Sequence, residues 1–302
     1  MDQHLQVFVT VAEKKNFSRA AEELHMTQPA VSQYIRTFED RFGARLLERT
    51  NKYVRLNKAG EIVYHHAKEI VGLYAKMESL VDDLTNKASG TLYIGASYTF
   101  GEYILPHVIA QLHQLYPEII PAVTIDNTAK IAALMMARQL DIGIVEGHFK
   151  EEKQLETDAF AEDSMVLVAS PNHPIAVGNE EITAADLAAQ TWILREAGSG
   201  TREASEMVLQ RGHITPANII SFGSTQAIKE AVGAGLGISL LSKWAVQKEL
   251  HHGELKIIET AGMPFSRQFY IITASPFQTK ALQVFLELLR DKRKWSLFRG
   301  KI

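Results

Sequence analysis

The sequence predicts an α/β protein with an all-α, winged N-terminal head: short helices around a tight turn, a small hairpin, one long helix, and then two α/β lobes. Three observations carry that prediction. Apolar residues recur at helical spacing through the first forty positions, and a proline-free seam stepping by three and four runs from Lys58 to about Ala88. From Leu92 onward, short apolar strands alternate with helical stretches. A chain of 302 residues exceeds what one hydrophobic core usually serves. The expected domains are therefore a head over 1–58, a linker helix and hinge over 59–90, and a two-lobed α/β region over 91–302. Within the last, lobe I takes about 91–161 and 266–302, and lobe II about 162–265.

In the head, Asp2 is placed to cap a first helix whose Leu5, Phe8, Val9 and Ala12 share one face, and Asn16 interrupts it. Ser18 is expected to cap a second helix, Arg19 to Leu24, in which Ala20 and Ala21 let a neighbour approach closely. His25-Met26 makes the turn. Thr27 caps a third helix with Pro29 in its first turn, and Val31, Ile35 and Phe38 form its inward stripe. The opposite face carries Gln28, Ser32, Gln33 and Arg36, short or planar hydrogen-bonding groups suited to base edges in a major groove. A merely solvated face is more often Lys and Glu. After Gly43, Leu46 and Leu47, the run from Arg49 to Leu56 alternates as a hairpin with Asn51-Lys52 at its tip. It offers Arg49, Lys52 and Arg55 to phosphates or the minor groove.

Charge agrees with that pattern. Residues 1–58 hold 10 Lys+Arg against 7 Asp+Glu, a net of +3, whereas the other 244 residues carry 22 against 28, a net of −6. A polyanion partner and chance asymmetry both fit such numbers, so the residue pattern decides. The long helix has the seam Val63, His66, Ile70, Leu73, Met77, Leu80 and Leu84. At about 1.5 Å per residue it would span roughly 45 Å, more than is needed to cover a small head. Pairing with a second copy as a coiled coil is expected over docking on its own chain, and Lys87-Ala88-Ser89-Gly90 ends it as a hinge.

In the two-lobed region the predicted strands are 92–95, 122–125, 142–145, 165–168, 192–194, 219–222, 238–241 and 269–272. Helical stretches cover 102–115, 131–140, and those starting near 202, 225 and 279. A ligand is expected between the lobes at the carboxyl ends of the strands. Ser97, Tyr98 and Thr99 follow the first strand, and Asn127-Thr128 the second; each set reads equally as anion-holding groups or as ordinary helix caps. Gly198-Ser199-Gly200-Thr201-Arg202 gives flexible backbone, two hydroxyls and a cation at one helix start and is the best anion cradle, with a plain cap as the alternative. Ser224-Thr225 opens the next such turn.

Several chemistries are excluded. No window approaches the run of about 18 apolar residues that a membrane helix needs. The start Met1-Asp2-Gln3-His4 has no secretory pattern, so a cytoplasmic location is expected. With no cysteine there is no disulfide, thiolate metal site or thiol nucleophile. Gly233-Ala234-Gly235-Leu236-Gly237 leaves a helix for a strand and has Ile238 where a dinucleotide fingerprint needs glycine. Ser199 follows Ala197 at the position where a nucleophile elbow needs glycine, and no phosphate-binding loop occurs. Glu61, His65 and Glu69 share a helical face but read as a polar surface rather than a metal site, and His251-His252 as a loop.

The run Phe17-Ser18-Arg19-Ala20-Ala21-Glu22-Glu23-Leu24-His25-Met26-Thr27-Gln28-Pro29-Ala30-Val31-Ser32-Gln33-Tyr34-Ile35-Arg36-Thr37-Phe38-Glu39 closely resembles the head of LysR-type transcriptional regulators. Phe42-Gly43, Leu46-Leu47, Arg49 and Ala59-Gly60 continue the likeness, which extends over the whole chain. Phe38 stands where leucine is commoner. Asn57-Lys58 stands where threonine often caps the linker helix, and Asn57 can do the same job. The resemblance implies a winged helix-turn-helix, a dimerising linker helix and a two-lobed effector domain similar to periplasmic binding proteins. It also adds Ser18, Thr27, Pro29 and Ala30 to the DNA-facing set. The implied partners are double-stranded DNA with an inverted-repeat site, a small anionic metabolite held by Ser97, Tyr98, Thr99, Asn127, Thr128, Ser199, Thr201, Arg202 and Thr225, and a second copy in a dimer or tetramer. RNA polymerase joins them if the regulator activates; no cofactor, membrane or enzymatic activity is implied. A cytoplasmic solute-binding protein without DNA function is the alternative, which the basic head opposes.

Overall fold

The computed structural model describes residues 3–49, 53–82, 88–147, 155–177, 182–274 and 278–291. Asp2, Lys52, Leu84, Lys87 and the hairpin tip fall outside that range, as does the Leu80 side chain. The chain divides into two compact units, Met1–Thr85 and Asn86–Ile302.

The first unit runs α1 (Gln3–Lys14), α2 (Phe17–Glu23), α3 (Gln28–Phe42), β1 (Leu47–Arg49), β2 (Val54–Leu56) and α4 (Lys58–Asp82). Its core joins Val7, Phe8 and Val11 with Ala20, Ala21, Val31, Ile35 and Phe38, so the three predicted apolar stripes face one another. Helix α2 starts two residues earlier than expected because Asn16, not Ser18, is its cap. The Asn16 Oδ1 accepts from the N–H groups of Ser18 and Arg19 at 2.9 and 3.0 Å. Thr27 caps α3 as expected, accepting from the Ala30 N–H, and Gly43 closes it at φ +62°. The wing pairs Leu47 with Leu56 and Arg49 with Val54. Glu39 ties it to α3 by accepting from the Leu46 and Leu47 N–H groups at 2.7 and 3.1 Å.

Asn57 caps α4 through the Gly60 N–H at 2.8 Å and donates to the Arg45 carbonyl. The helix packs so tightly there that a Cβ on Gly60 would meet the Leu46 carbonyl oxygen at 2.0 Å, which accounts for glycine at this position. Over its 25 residues, about 37 Å, α4 turns two apolar faces outward from its axis. Val63, Tyr64, Ala67 and Val71 pack on the head's own core. Val63 therefore departs from the expected pairing seam: it shares a face with Ala67, one helical turn on, and that face is covered by its own chain. Ile62, Ile70, Leu73, Met77 and Val81, stepping by three, four and eight, remain exposed.

The second unit contains β3 (Gly90–Ser97), α5 (Tyr98–Tyr103), α6 (Leu105–Leu115), β4 (Ile119–Asp126), α7 (Thr128–Met136), β5 (Ile142–Glu146), β6 (Glu156–Ala169), α8 (Pro174–Val177) and α9 (Ala184–Ala188). It continues with β7 (Thr191–Arg195), α10 (Gly200–Arg211), β8 (Asn218–Phe222), α11 (Thr225–Gly233), β9 (Ser239–Ser242), α12 (Lys243–His252), β10 (Lys256–Ile257), β11 (Phe265–Thr273) and α13 (Lys280–Arg290). The expected helix over 102–115 is two helices: Pro106 lacks an N–H and its ring would clash with the carbonyl four residues back, so the chain restarts at Leu105. His251-His252 forms the last turn of α12, closed by Gly253 at φ +71°, rather than a loop.

In the first lobe, β4, β3 and β5 lie parallel, and β11 continues the sheet antiparallel. In the second, β6 carries β9 on one edge and β10 on the other, since Val168 pairs with both Ser239 and Ile257. Trp192 bridges to Ile238, and β7 pairs with β8 in parallel. Strands β6 and β11 serve both lobes: Phe160 and Phe269 lie in the first core, Met165 and Phe265 in the second. The two lobes are thus hung on one antiparallel pair.

Candidate functional site

On the head, Gln28, Gln33 and Arg36 are exposed along α3, opposite the buried Val31, Ile35 and Phe38, and Ser32 is half-buried between them. The Gln28 amide donates to the Ser32 hydroxyl at 2.9 Å, which fixes both groups on that face. Ser18, Thr27 and Pro29 are exposed and Ala30 is half-buried at the helix starts. In the wing, Arg49 lies 5.9 Å from the Phe17 ring centroid. Arg55 donates to Glu48 at 2.7 Å and stacks 5.1 Å above Tyr53; this hydrogen bond to the Glu48 carboxylate raises its already high pKa. Part of the wing's positive charge is therefore offset locally. Farther along, His65, His66 and Glu69 bring ligand-type atoms within 4.8 Å of one another on exposed α4, a grouping that does not include Glu61.

In the second unit, Ser97, Thr99, Asn127, Thr128, Ser199, Thr201 and Thr225 are all buried where the lobes meet. They gather around two arginines that the sequence reading missed. The first is Arg267, directly opposite Asp163 in the β11–β6 register. Its Nε donates to Asp163 at 2.8 Å, and its two terminal nitrogens donate to Thr201 at 3.2 Å and Thr99 at 3.1 Å. Asp163 also accepts from Ser242 at 2.6 Å. The Glu146 carboxylate stands 3.7 Å from the guanidinium and accepts from the Ser97 hydroxyl, while its carbonyl takes the hydroxyl of Thr128 at 2.8 Å.

The second arginine is Arg195, at the end of β7. It is doubly bonded to Glu196, donates to Thr225 at 3.1 Å, and lies 4.4 Å from the Tyr98 ring centroid across the lobes. Asn127 donates to the same Glu196 at 3.1 Å. Burial would raise the Glu196 carboxyl, but hydrogen bonds from Arg195 and Asn127 hold it below the ordinary range. A further contact sets the Lys229 ammonium 5.1 Å from the Tyr103 ring, with Glu249 at 2.6 Å. Next to it, burial pushes the Glu102 carboxyl up, against the pull of Arg195 and Lys229.

The cap-or-site ambiguity divides accordingly. Asn127 and Ser199 cap α7 and α10, and Ser224 caps α11. Ser97 makes no cap bond, and its hydroxyl, with those of Thr99, Thr128, Thr201 and Thr225, points into the polar junction. Arg202 turns to Glu206 at 2.6 Å and to the Arg195 carbonyl. The backbone of the expected cradle is met from the other lobe, with the Ala129 N–H donating to the Gly198 carbonyl at 3.1 Å. Arg267 was detectable: it occupies the inward phase between buried Phe265 and Phe269. The end of β5 gave a weaker signal, a glutamate closing a strand that is buried throughout.

Comparison with known proteins places these features in a common frame. A family model described as the LysR substrate binding domain matches residues 85–294, and one described as the bacterial regulatory helix-turn-helix protein, lysR family, matches residues 3–61. The HTH-type transcriptional regulator CysL of Bacillus subtilis (strain 168) is 38% identical over 98% of both chains. The RuBisCO operon transcriptional regulator of Allochromatium vinosum is 33% identical over 89% of this chain and 88% of its own. Among solved structures, the Synechocystis PCC6803 CcmR regulatory domain in complex with 2-PG covers 70% of this chain and 99% of its own, at 28% identity and a TM-score of 0.62. Full-length CbnR complexed with its target DNA shares the fold at 20% identity and a TM-score of 0.71, covering 95% of this chain and 98% of its own.

Proposed function

The chain belongs to the LysR family of bacterial transcriptional regulators, and from that premise we propose that it binds an inverted-repeat DNA site through its head and responds to a small anion held between its lobes. The observation that carries the reading is the outward face of α3, where Gln28, Gln33 and Arg36 stand exposed on a helix whose other side is the head's core. Residues 1–58 form the DNA-binding part, 59–90 the dimerising linker, and 91–302 the effector part. Arg49, Lys52 and Arg55 position the wing on the phosphate backbone. The exposed stripe Ile70, Leu73 and Met77 pairs with a second copy. Ser97, Thr99, Thr128 and Thr201 offer hydroxyls to the effector beside Arg267; that the similar CcmR regulatory domain is found in complex with 2-PG supports a small-molecule effector. The protein acts by binding rather than by catalysis, and in the cytoplasm; among the described residues no helix is long and apolar enough to cross a membrane.

The test compares specific and random duplexes. Arg36→Ala should lose about 1–3 kcal/mol on the specific site and relax its sequence preference, whereas Arg49→Ala should weaken both duplexes alike. Equal losses on both duplexes for both variants would remove the groove assignment. In the second unit, Thr99→Val and Thr201→Val should blunt the effector response with DNA affinity unchanged, and an undiminished response in both would place the effector elsewhere.

A further inference from the structure

The first lobe already sets a carboxylate among the groups that would hold an anion. Glu146 closes β5 and is 2% exposed. One carboxylate oxygen accepts from Ser97, and the other stands 3.7 Å from the Arg267 guanidinium. The second lobe closes over it: a Cβ on Gly200, the first residue of α10, would meet the Glu146 carbonyl oxygen at 2.1 Å and its Cγ at 2.8 Å. Glu146 is thus enclosed by hydroxyl, guanidinium and helix start.

Charge makes this placement consequential. Around Arg267 the described residues set one guanidinium against two carboxylates, Asp163 and Glu146. Asp163 has the closer claim, at 2.7–2.8 Å through two nitrogens, and is itself fully buried. A further anion beside Ser97, Thr99 and Thr201 would make three negative charges facing one positive charge in a desolvated site, which is strongly unfavourable. The hydroxyls and the guanidinium suit an anion, yet the net charge refuses one while Glu146 stays in place.

Resting on the reading of this junction as the effector site, we infer that Glu146 is a tethered internal ligand whose carboxylate occupies the effector's anion position, and that the effector is a small carboxylate or oxyanion that displaces it. The exchange conserves charge at the cluster. It also moves the end of β5, where Glu146 and Gly147 pack against Gly200 at the start of α10, so ligand entry is coupled to the contact between the lobes.

The experiment uses the full chain with sodium acetate and sodium sulfate as probes, at ionic strength held constant with sodium chloride, and reads thermal stability by tryptophan fluorescence. Glu146→Ala empties the position and should be stabilised by acetate at a concentration at least about ten-fold lower than the parent requires, the scale of removing one like-charge contact. Glu146→Gln keeps the shape and removes the charge, so it should also respond at lower concentration than the parent, and it carries the test if the alanine variant does not fold. Adding Thr201→Val to either should reverse the gain. Equal responses of parent, alanine and glutamine variants to both anions would overturn the tethered-ligand inference and leave the effector reading standing. A gain that survives Thr201→Val would place the anion away from Arg267, overturning the inference and this effector site together.

Discussion

Replacing Arg267 with methionine should destabilise the second unit by about 4 kcal/mol. The side chains of Arg267, Asp163 and Glu146 are 4%, 0% and 3% exposed, so no solvent screening reduces their interaction. Removing one partner from a buried pair costs about 3–5 kcal/mol, because the remaining carboxylate is left desolvated. The hydroxyls of Thr99 and Thr201 also lose a donor, at roughly 0.5–1.5 kcal/mol each, partly regained as they turn to other partners. At about 2–4 °C per kcal/mol for a domain of this size, the midpoint should fall by roughly 10 °C. The head contains no tryptophan, Trp192, Trp244 and Trp295 all following it in the sequence, so urea unfolding followed by tryptophan fluorescence is read without contribution from the head. Arg267→Met/Asp163→Leu removes the closest charge pair and should recover part of the loss, since a buried pair replaced by apolar groups is often neutral, while Glu146 stays buried without its guanidinium. A loss under about 1 kcal/mol for the single variant, or no recovery in the double, would mean that water reaches the guanidinium and that the lobes do not enclose it.

Three other outcomes follow from the geometry. Leu73→Asp or Met77→Asp puts a charge on the exposed stripe of α4 and should reduce the assembly to single chains in sedimentation; an unchanged mass with unaltered helical circular dichroism would show that the stripe is not the interface. Gly60→Ala forces a methyl against the Leu46 carbonyl and should cost about 1–3 kcal/mol. Faster amide exchange confined to the head would register that loss, and unchanged exchange would show that the backbone yields without strain. Glu102→Gln tests the pH dependence: with its folded pKa raised by burial, Glu102 contributes stability that is full below the ordinary carboxyl range and lost as pH rises through the raised value. The glutamine variant should therefore gain stability over the parent as pH climbs from about 4 to 7, and the opposite trend would mean that Arg195 and Lys229 outweigh burial.

What the sequence revealed divides by the range of the interactions. Apolar periodicity, the Thr27 and Asn57 caps and the Leu47–Leu56 hairpin depend on neighbours a few residues away, and each was readable from local pattern. The start of α2 was misread because Asn16 and Ser18 are both competent caps, and only backbone conformation, extended at Asn16, chooses between them. The junction cluster was out of reach for a different reason. Arg267 meets Asp163 across 104 residues and Thr99 across 168, and the pairing follows from the register of two strands that spacing alone does not give.

That long range also bears on why the junction is polar. Apolar side chains of similar volume could join the lobes with equal or greater stability, but they would tolerate sliding. One guanidinium receives Thr99 from the first lobe and Thr201 from the second, and its bonds have good geometry in only one relative placement of the two. When the lobes part, water can hydrate each of these groups, so separation is far less costly than leaving the same charges buried and unpaired. A junction that is directional when closed and would be readily hydrated when open has the physical ingredients of two discrete arrangements. A ligand that favours one of them can then shift the balance by its difference in affinity alone.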